Sequence, residues 1–163
     1  MKLFPKRNFI AELSGSSSEA MAELKRNTDI TDSLVSDWTK KAFRGQVNKS
    51  EFKIISSEIG RGAVCVLNGK FEGKIGEIEV RIHKAFKVMF SILMLMPIFG
   101  FGIMVLTNGI EKSLGIIIPM AVGIIFVRFL FIELSFRFIS KTGLKKLTNI
   151  MGIIKLKKTL PTG

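Results

Sequence analysis

One cysteine, one histidine, one tryptophan, no tyrosine and only 13 acidic residues occur in this chain of 163. A lone Cys65 forbids an intrachain disulfide and any multi-cysteine metal site, and it suits a reducing compartment. A lone His83 removes zinc motifs that need several histidines, and with them a Cys/His nucleophile pair at familiar spacing. Phosphate-cradling loops are missing too: Gly60-Arg61-Gly62 is a turn with a cation in it, and Gly100-Phe101-Gly102 lies inside an apolar run. Serines and acids are present without a placed base, so no catalytic residue, metal ligand or cofactor is assigned, and the chain is expected not to be an enzyme.

Charge is absent where it matters most. Val88–Leu106 runs 19 residues without one, which at a rise of about 1.5 Å gives roughly 28 Å of helix against ~30 Å of bilayer hydrocarbon. A second run, Leu114–Leu134, is interrupted only by Arg128 and Glu133, and the residues 107–113 between the two can form only a short turn. The eleven Leu, Ile, Val or Phe of the first run contribute roughly −3 to −7 kcal/mol to insertion. In the second run fourteen such residues outweigh two charges that lie near its end, where their cost falls. The reading is two membrane-spanning helices folded back on each other over residues 86–136.

The formal charge of +12 then has to be located before a partner is inferred from it. Residues 1–87 carry 16 Lys+Arg against 11 Asp+Glu, the turn balances Lys112 with Glu111, and seven cations and no acid follow Leu134. The excess flanks the hairpin and avoids its turn, which is the positive-inside pattern. Both termini are therefore expected on the cytoplasmic side of a cell inner membrane, with no nucleic acid as partner. Arg81, His83, Lys84 and Lys87 form a cationic collar before the first span. Arg128 is placed to snorkel toward headgroups, and Arg137, Lys141, Lys145 and Lys146 follow the second span. All nine are read as contacts to anionic lipid. Glu133 is an intramembrane acid, either a site of proton or ion handling or half of an ion pair with Arg137 one turn on. Gly115, Pro119 and Gly123 recur every four residues and offer a stripe for close helix packing, against the first span or in a homo-oligomer.

Outside the apolar runs the patterning changes twice. Residues 1–44 read as a polar N-terminal segment with short helices. The apolar patch after its basic start is broken by Glu12 and is too short for a secretory signal core, so no cleaved peptide is expected. Ser16 and Glu19 have capping-box spacing, and Asp32 could cap a second helix carrying Leu34, Trp38 and Ala42 on one face, with Trp38 as its anchor. Residues 45–85 read as a small antiparallel β module. Glu51-Phe52-Lys53-Ile54 and Glu77 to His83 alternate, Ala63 to Leu67 is apolar throughout, and Asn68-Gly69 signals a hairpin turn or a bulge. So few residues make a marginal core, so the module must lean on other parts of the chain, on lipid or on another copy. Residues 137–163 form a basic tail in which Leu144, Leu147, Met151 and Ile154 share helical spacing, fitting a helix at the lipid interface or one packed back on the sheet.

At Gly45-x-Val47, Phe52-x-Ile54, Arg61, Gly69 and Arg81-x-His83-x-x-Phe86, leading directly into the apolar runs, the chain resembles a group of uncharacterised bacterial membrane proteins. In that group a short β segment precedes two transmembrane helices and a charged tail. The resemblance implies architecture and carries no activity with it. The expected fold class is thus an α+β membrane protein: a two-helix transmembrane hairpin with a small antiparallel β module and short flanking helices on the cytoplasmic side. The function expected is a non-enzymatic partner-binding or scaffold subunit at the inner membrane surface. The alternatives are an oligomerising, membrane-permeabilising effector and a small transporter or lipid-enzyme subunit using Glu133.

Overall fold

The computed structural model describes residues 4–35, 39–57 and 64–159. They form an α+β protein of two compact units, one built from Pro5–His83 with the chain from Phe136 onward, the other from Lys84–Ser135.

The first unit is a seven-stranded sheet in the order β2-β3-β4-β5-β6-β1-β7. Its strands are β1 (Lys6–Leu13), β2 (Thr28–Ile30), β3 (Phe43–Val47), β4 (Glu51–Ser56), β5 (Cys65–Glu72), β6 (Ile75–Ile82) and β7 (Ile153–Thr159). Every pair is antiparallel except β2 with β3. The sheet is larger than a module over residues 45–85, because β1 comes from the segment read as polar and β7 from the tail read as helical. Four strands of that size bury too little surface on their own, and the added strands extend the ladder on which a core can be built. The alternation of β1 is masked by Arg7, which takes an inward position with its guanidinium 5.4 Å over the ring of Phe136.

One face of the sheet is covered. Helix α1 (Ser17–Arg26) forms at the capping box: Ser16 Oγ accepts from the Glu19 N–H, and the Glu19 side chain accepts from the Ser16 N–H. It buries Ala20, Met21 and Leu24. The helix after Asp32 does not form over residues 31–35 or 39–42, and Trp38 lies outside the described residues. Asp32 instead accepts a hydrogen bond from the Gln46 side chain at 2.6 Å. The second covering helix, α5 (Leu134–Met151), buries Phe136, Ser140, Leu144, Leu147 and Met151, the spacing of a single stripe. An apolar lipid-facing side of the tail is therefore corrected: Leu144, Leu147 and Met151 pack inward, and Ile154, past the helix end, is 67% exposed. The helix stops because Gly152 adopts φ 65°, and its carbonyl accepts from the Ser14 N–H at 2.9 Å.

The Asn68-Gly69 pair does not turn the chain. Strand β5 runs straight through it, and the turn falls at Gly73, where φ is 67°. Gly69 serves a packing purpose. It lies opposite Phe52, and a Cβ there would stand 2.3 Å from the Phe52 ring. Gly76 repeats the arrangement opposite Phe71, and the two rings stack with centroids 6.4 Å apart.

The second unit is helical. Helix α2 (Lys84–Asn108) is followed by α3 (Ile110–Ser113), a 3₁₀ turn (Leu114–Ile116), α4 (Ile117–Phe126) and a π-helical segment (Val127–Glu133). Along α2 the less exposed positions include Phe90, Met94, Pro97, Phe101 and Met104, stepping four and three residues as in a two-helix seam. Both α2 and the helical stretch Ile110–Met151 are long and apolar enough to cross a membrane, with window mean hydropathies of 2.3 and 2.5 and only 6% of each window buried.

Candidate binding face of the sheet

Opposite cross-strand residues share a face, so the register writes out the composition of the side that α1 and α5 leave open. One row reads Arg44, Ile55, Val66, Arg81, Lys6, and the next Gln46, Lys53, Asn68, Glu79, Asn8, Thr159. The third runs Glu51, Lys70, Glu77, Ile10, Lys157, and the last places Glu72 and Glu12 on either side of Ile75. The first row holds three cations on either side of the buried Ile55 and Val66, with Asp29 opposite Arg44 on β2, and the last row continues from Glu12 to Lys155 on β7. Arg44, Arg81 and Lys6 thus lie in the row nearest the end where β6 leads into His83.

A groove of about 580 Å³ lies on this face, lined by Asn8, Gln46, Lys53, Asn68, Glu79 and Arg81 among others. Glu79 anchors its middle, 2.7 Å from Lys6 and 3.6 Å from Arg81, and Arg44 pairs with Asp29 at 3.4 Å. The amide oxygens of Asn8 and Asn68 are buried without a donor among the described residues. An unsatisfied buried acceptor is costly, and such groups are ordinarily met by a further donor.

His83 closes that end. Its N–H donates to the Val64 carbonyl at 2.9 Å, prolonging the β5–β6 ladder by one bond. Burial, and then the positive charges of Lys53 and Arg81, hold its imidazole below the ordinary value of 6.5. The ring is therefore neutral at pH 7, and Arg81, Lys53 and Lys6 carry the charge. Sequence reading found Arg81 and His83 but missed Lys53, Lys6 and Arg44. Strand alternation alone put Lys53 on a wet face, and only the register brings that face beside Arg81.

The remaining residues singled out from the sequence separate into groups. Lys84 is exposed, and Lys87 lies 5.9 Å over the Phe4 ring. Arg137, Lys141 and Lys145 are exposed on α5, and Lys146 is half-buried there. Arg128 does not snorkel outward: it is buried, and its Nη1 lies 3.7 Å from Glu133 Oε2. Five residues on an α-helix are about 140° apart, whereas the i→i+5 bonding of the π segment closes that angle and brings the two side chains together. Gly115, Pro119 and Gly123 are exposed, and a Cβ added at either glycine would meet nothing within 4 Å. The stripe is therefore not where α2 packs. Its spacing predicts close contact, but the seam uses larger side chains elsewhere.

Cys65 is buried, and burial pushes its thiol up to about 12 against a smaller lowering by Arg7. Among the described residues no three His, Cys, Asp or Glu side chains gather where they could hold a metal ion.

These features define an α+β protein that joins a seven-stranded sheet, helix-covered on one side, to two long apolar helices. No protein-family model, curated protein or solved structure matches the chain.

Proposed function

We propose that the protein is a non-enzymatic partner-binding or scaffold subunit of the cytoplasmic membrane, in which the two apolar helices span the bilayer and the open sheet face is the working surface on the cytoplasmic side. The observation that carries the reading is the exposure of large apolar side chains on α2, with Ile92 at 62%, Met96 at 68%, Phe99 at 70%, Ile103 at 65% and Leu106 at 87%. A water-soluble monomer rarely exposes an apolar patch beyond a few hundred Å². In hydrocarbon the same surface costs nothing, and the helices satisfy their own backbone groups there.

The test has two stages. Membranes are washed at alkaline pH, and the protein is expected in the pellet; full recovery in the supernatant overturns the reading. Topology is then probed with an impermeant thiol reagent. Cys65 is unsuitable, because a buried thiol held up to about 12 is missed from either side. In a Cys65→Ala background, Lys112→Cys in the short turn should label from outside, and Lys74→Cys at the β5–β6 turn only after permeabilisation. The opposite pattern inverts the topology.

A second reading rests on the open Gly115, Pro119 and Gly123 stripe, which suits contact between hairpins in a membrane-permeabilising oligomer. It predicts dye release from anionic liposomes that Gly115→Leu/Gly123→Leu abolishes. Intact vesicles at high protein loading count it out.

A further inference from the structure

We propose that the outer edge of strand β7 is the docking site for an acidic, extended segment of a partner protein, which joins the sheet as an additional strand. The inference rests on the partner-binding half of the reading above and names the surface and the partner's chemistry.

Backbone groups make the edge a template. Strand β7 ends the sheet, and among the described residues it pairs only with β1. The N–H and C=O groups on its other side have no ladder partner in the sheet, and a strand edge of this kind accepts another strand. The opposite edge is no equivalent, because β2 runs only the three residues Thr28–Ile30 against the seven of Ile153–Thr159. Ile154, Lys155, Lys157 and Lys158 are exposed, so β7 is open to solvent along most of its length.

Side-chain charge selects the occupant. Lys155 and Lys157 lie on one face of the strand and Lys158 on the other, and β7 carries no acid. Opposite the three lysines stand Glu12, Ile10 and Phe9 of β1, a single acid against three cations. Among the described residues none of the three ammonium groups forms an ion pair with a carboxylate. Lysines on an edge strand discourage pairing with like strands, and here the register says which. In the fully overlapped antiparallel pairing of two β7 strands, centred on Leu156, Lys155 of each copy faces Lys157 of the other, and like charges directly opposite destabilise a ladder. A second copy is therefore disfavoured. A strand with acids at alternate positions and apolar residues between them is favoured, because its acids meet Lys155 and Lys157 while its apolar side chains fall on the face of Leu156.

The full-length protein in a neutral detergent is titrated into a fluorescein-labelled peptide of alternating glutamate and valine, and anisotropy is followed. Binding is expected, and a peptide of alternating lysine and valine should not bind; no binding of the glutamate peptide overturns the proposal. Lys155→Gln/Lys157→Gln should weaken binding about tenfold, as the loss of two opposite-charge cross-strand pairs implies. Lys141→Gln/Lys145→Gln, which removes two exposed cations from α5, should leave it unchanged. Equal losses in the two double variants reduce the effect to net charge and overturn the site. N-methylation of alternate peptide residues separates strand addition from charge attraction: methylating the set whose N–H groups face β7 should abolish binding, and methylating the other set should spare it. Equal effects of the two sets overturn strand addition. A single-stranded oligonucleotide that displaces the peptide at matched charge makes the edge a general polyanion site and overturns the partner assignment, and its failure to displace supports it. Every residue used here lies in the sheet unit. A protein that washes off the membrane at alkaline pH thus removes the membrane reading and leaves this test intact, whereas one that stays in the membrane and ignores the peptide loses this inference alone.

Discussion

Glu133→Gln is expected to destabilise the helical unit by about 3–5 kcal/mol, because it leaves the Arg128 guanidinium charged in an apolar seam. Arg128 is 9% exposed, and its side chain reaches Glu133 at 3.7 Å. Water does not readily take over the lost pairing at so buried a position. The reverse substitution, Arg128→Gln, strands a carboxylate that is itself more exposed, with a side-chain exposure of 24% against 11% for Arg128. It should cost less. Arg128→Met combined with Glu133→Leu removes both desolvation penalties and is expected to fall within about 1 kcal/mol of wild type or above it. Equilibrium unfolding in a fixed detergent of wild type, Arg128→Met, Glu133→Leu and the double variant closes a double-mutant cycle that reads the coupling directly. Additive single effects would show that the pair does not act as a unit, and the π segment would then need another cause. The pair also gives Glu133 a structural reason to be an acid. A transport or enzyme role for it would require the doubly apolar protein to be stable and yet inactive in whatever process the wild type serves.

Gly76→Ala carries the second large effect. An added Cβ would stand 2.3 Å from Phe71 Cδ1, 2.5 Å from Phe71 Cγ and 2.7 Å from the Lys70 carbonyl oxygen. Neither the root of an aromatic ring nor backbone can swing away, and Phe71 is 1% exposed with no room to move. The cost is expected at the upper end of the roughly 1–3 kcal/mol typical of overpacking, or beyond it. Gly69→Ala is the control, because its added Cβ meets only the far atoms of the Phe52 ring, at 2.3 to 3.1 Å. Phe52→Ala should therefore relieve Gly69→Ala almost wholly, while Phe71→Ala relieves Gly76→Ala only in part, the Lys70 carbonyl remaining in the way. Thermal unfolding of the six proteins against wild type measures both. Equal relief in the two pairs would remove the backbone clash from the account.

The two predictions probe different solvents. The first concerns a charge pair whose surroundings are side chains and, on the membrane reading, hydrocarbon. The second concerns a sheet core that owes nothing to lipid. A detergent change that alters the first cycle and leaves the second untouched would be the behaviour of a protein whose two units sit in different media.

By itself the sequence determined the features that depend on residues near one another along the chain. A charge-free run about as long as bilayer hydrocarbon is thick, a Ser and a Glu three apart at a helix start, and apolar residues alternating at Ile78, Val80 and Ile82 are all local, and they appear in the structure as a long apolar helix, a capping box and a one-sided strand. Only the tertiary structure decided what depends on partners far away in the chain. Asn68-Gly69 has turn chemistry, but Phe52 lies opposite and needs the space, so the strand continues. Lys6–Leu13 and Ile153–Thr159 pair with each other across some 140 residues of sequence, a contact that no window of periodicity can register. Arg128 was legible as a cation in an apolar run, but its partner follows from a π-helical turn that shifts the phase of the helix. The row of Arg44, Arg81 and Lys6 on the open face is the clearest case. Its residues come from β1, β3 and β6, and hydrogen-bond register, which propensity does not encode, is what sets them in one row.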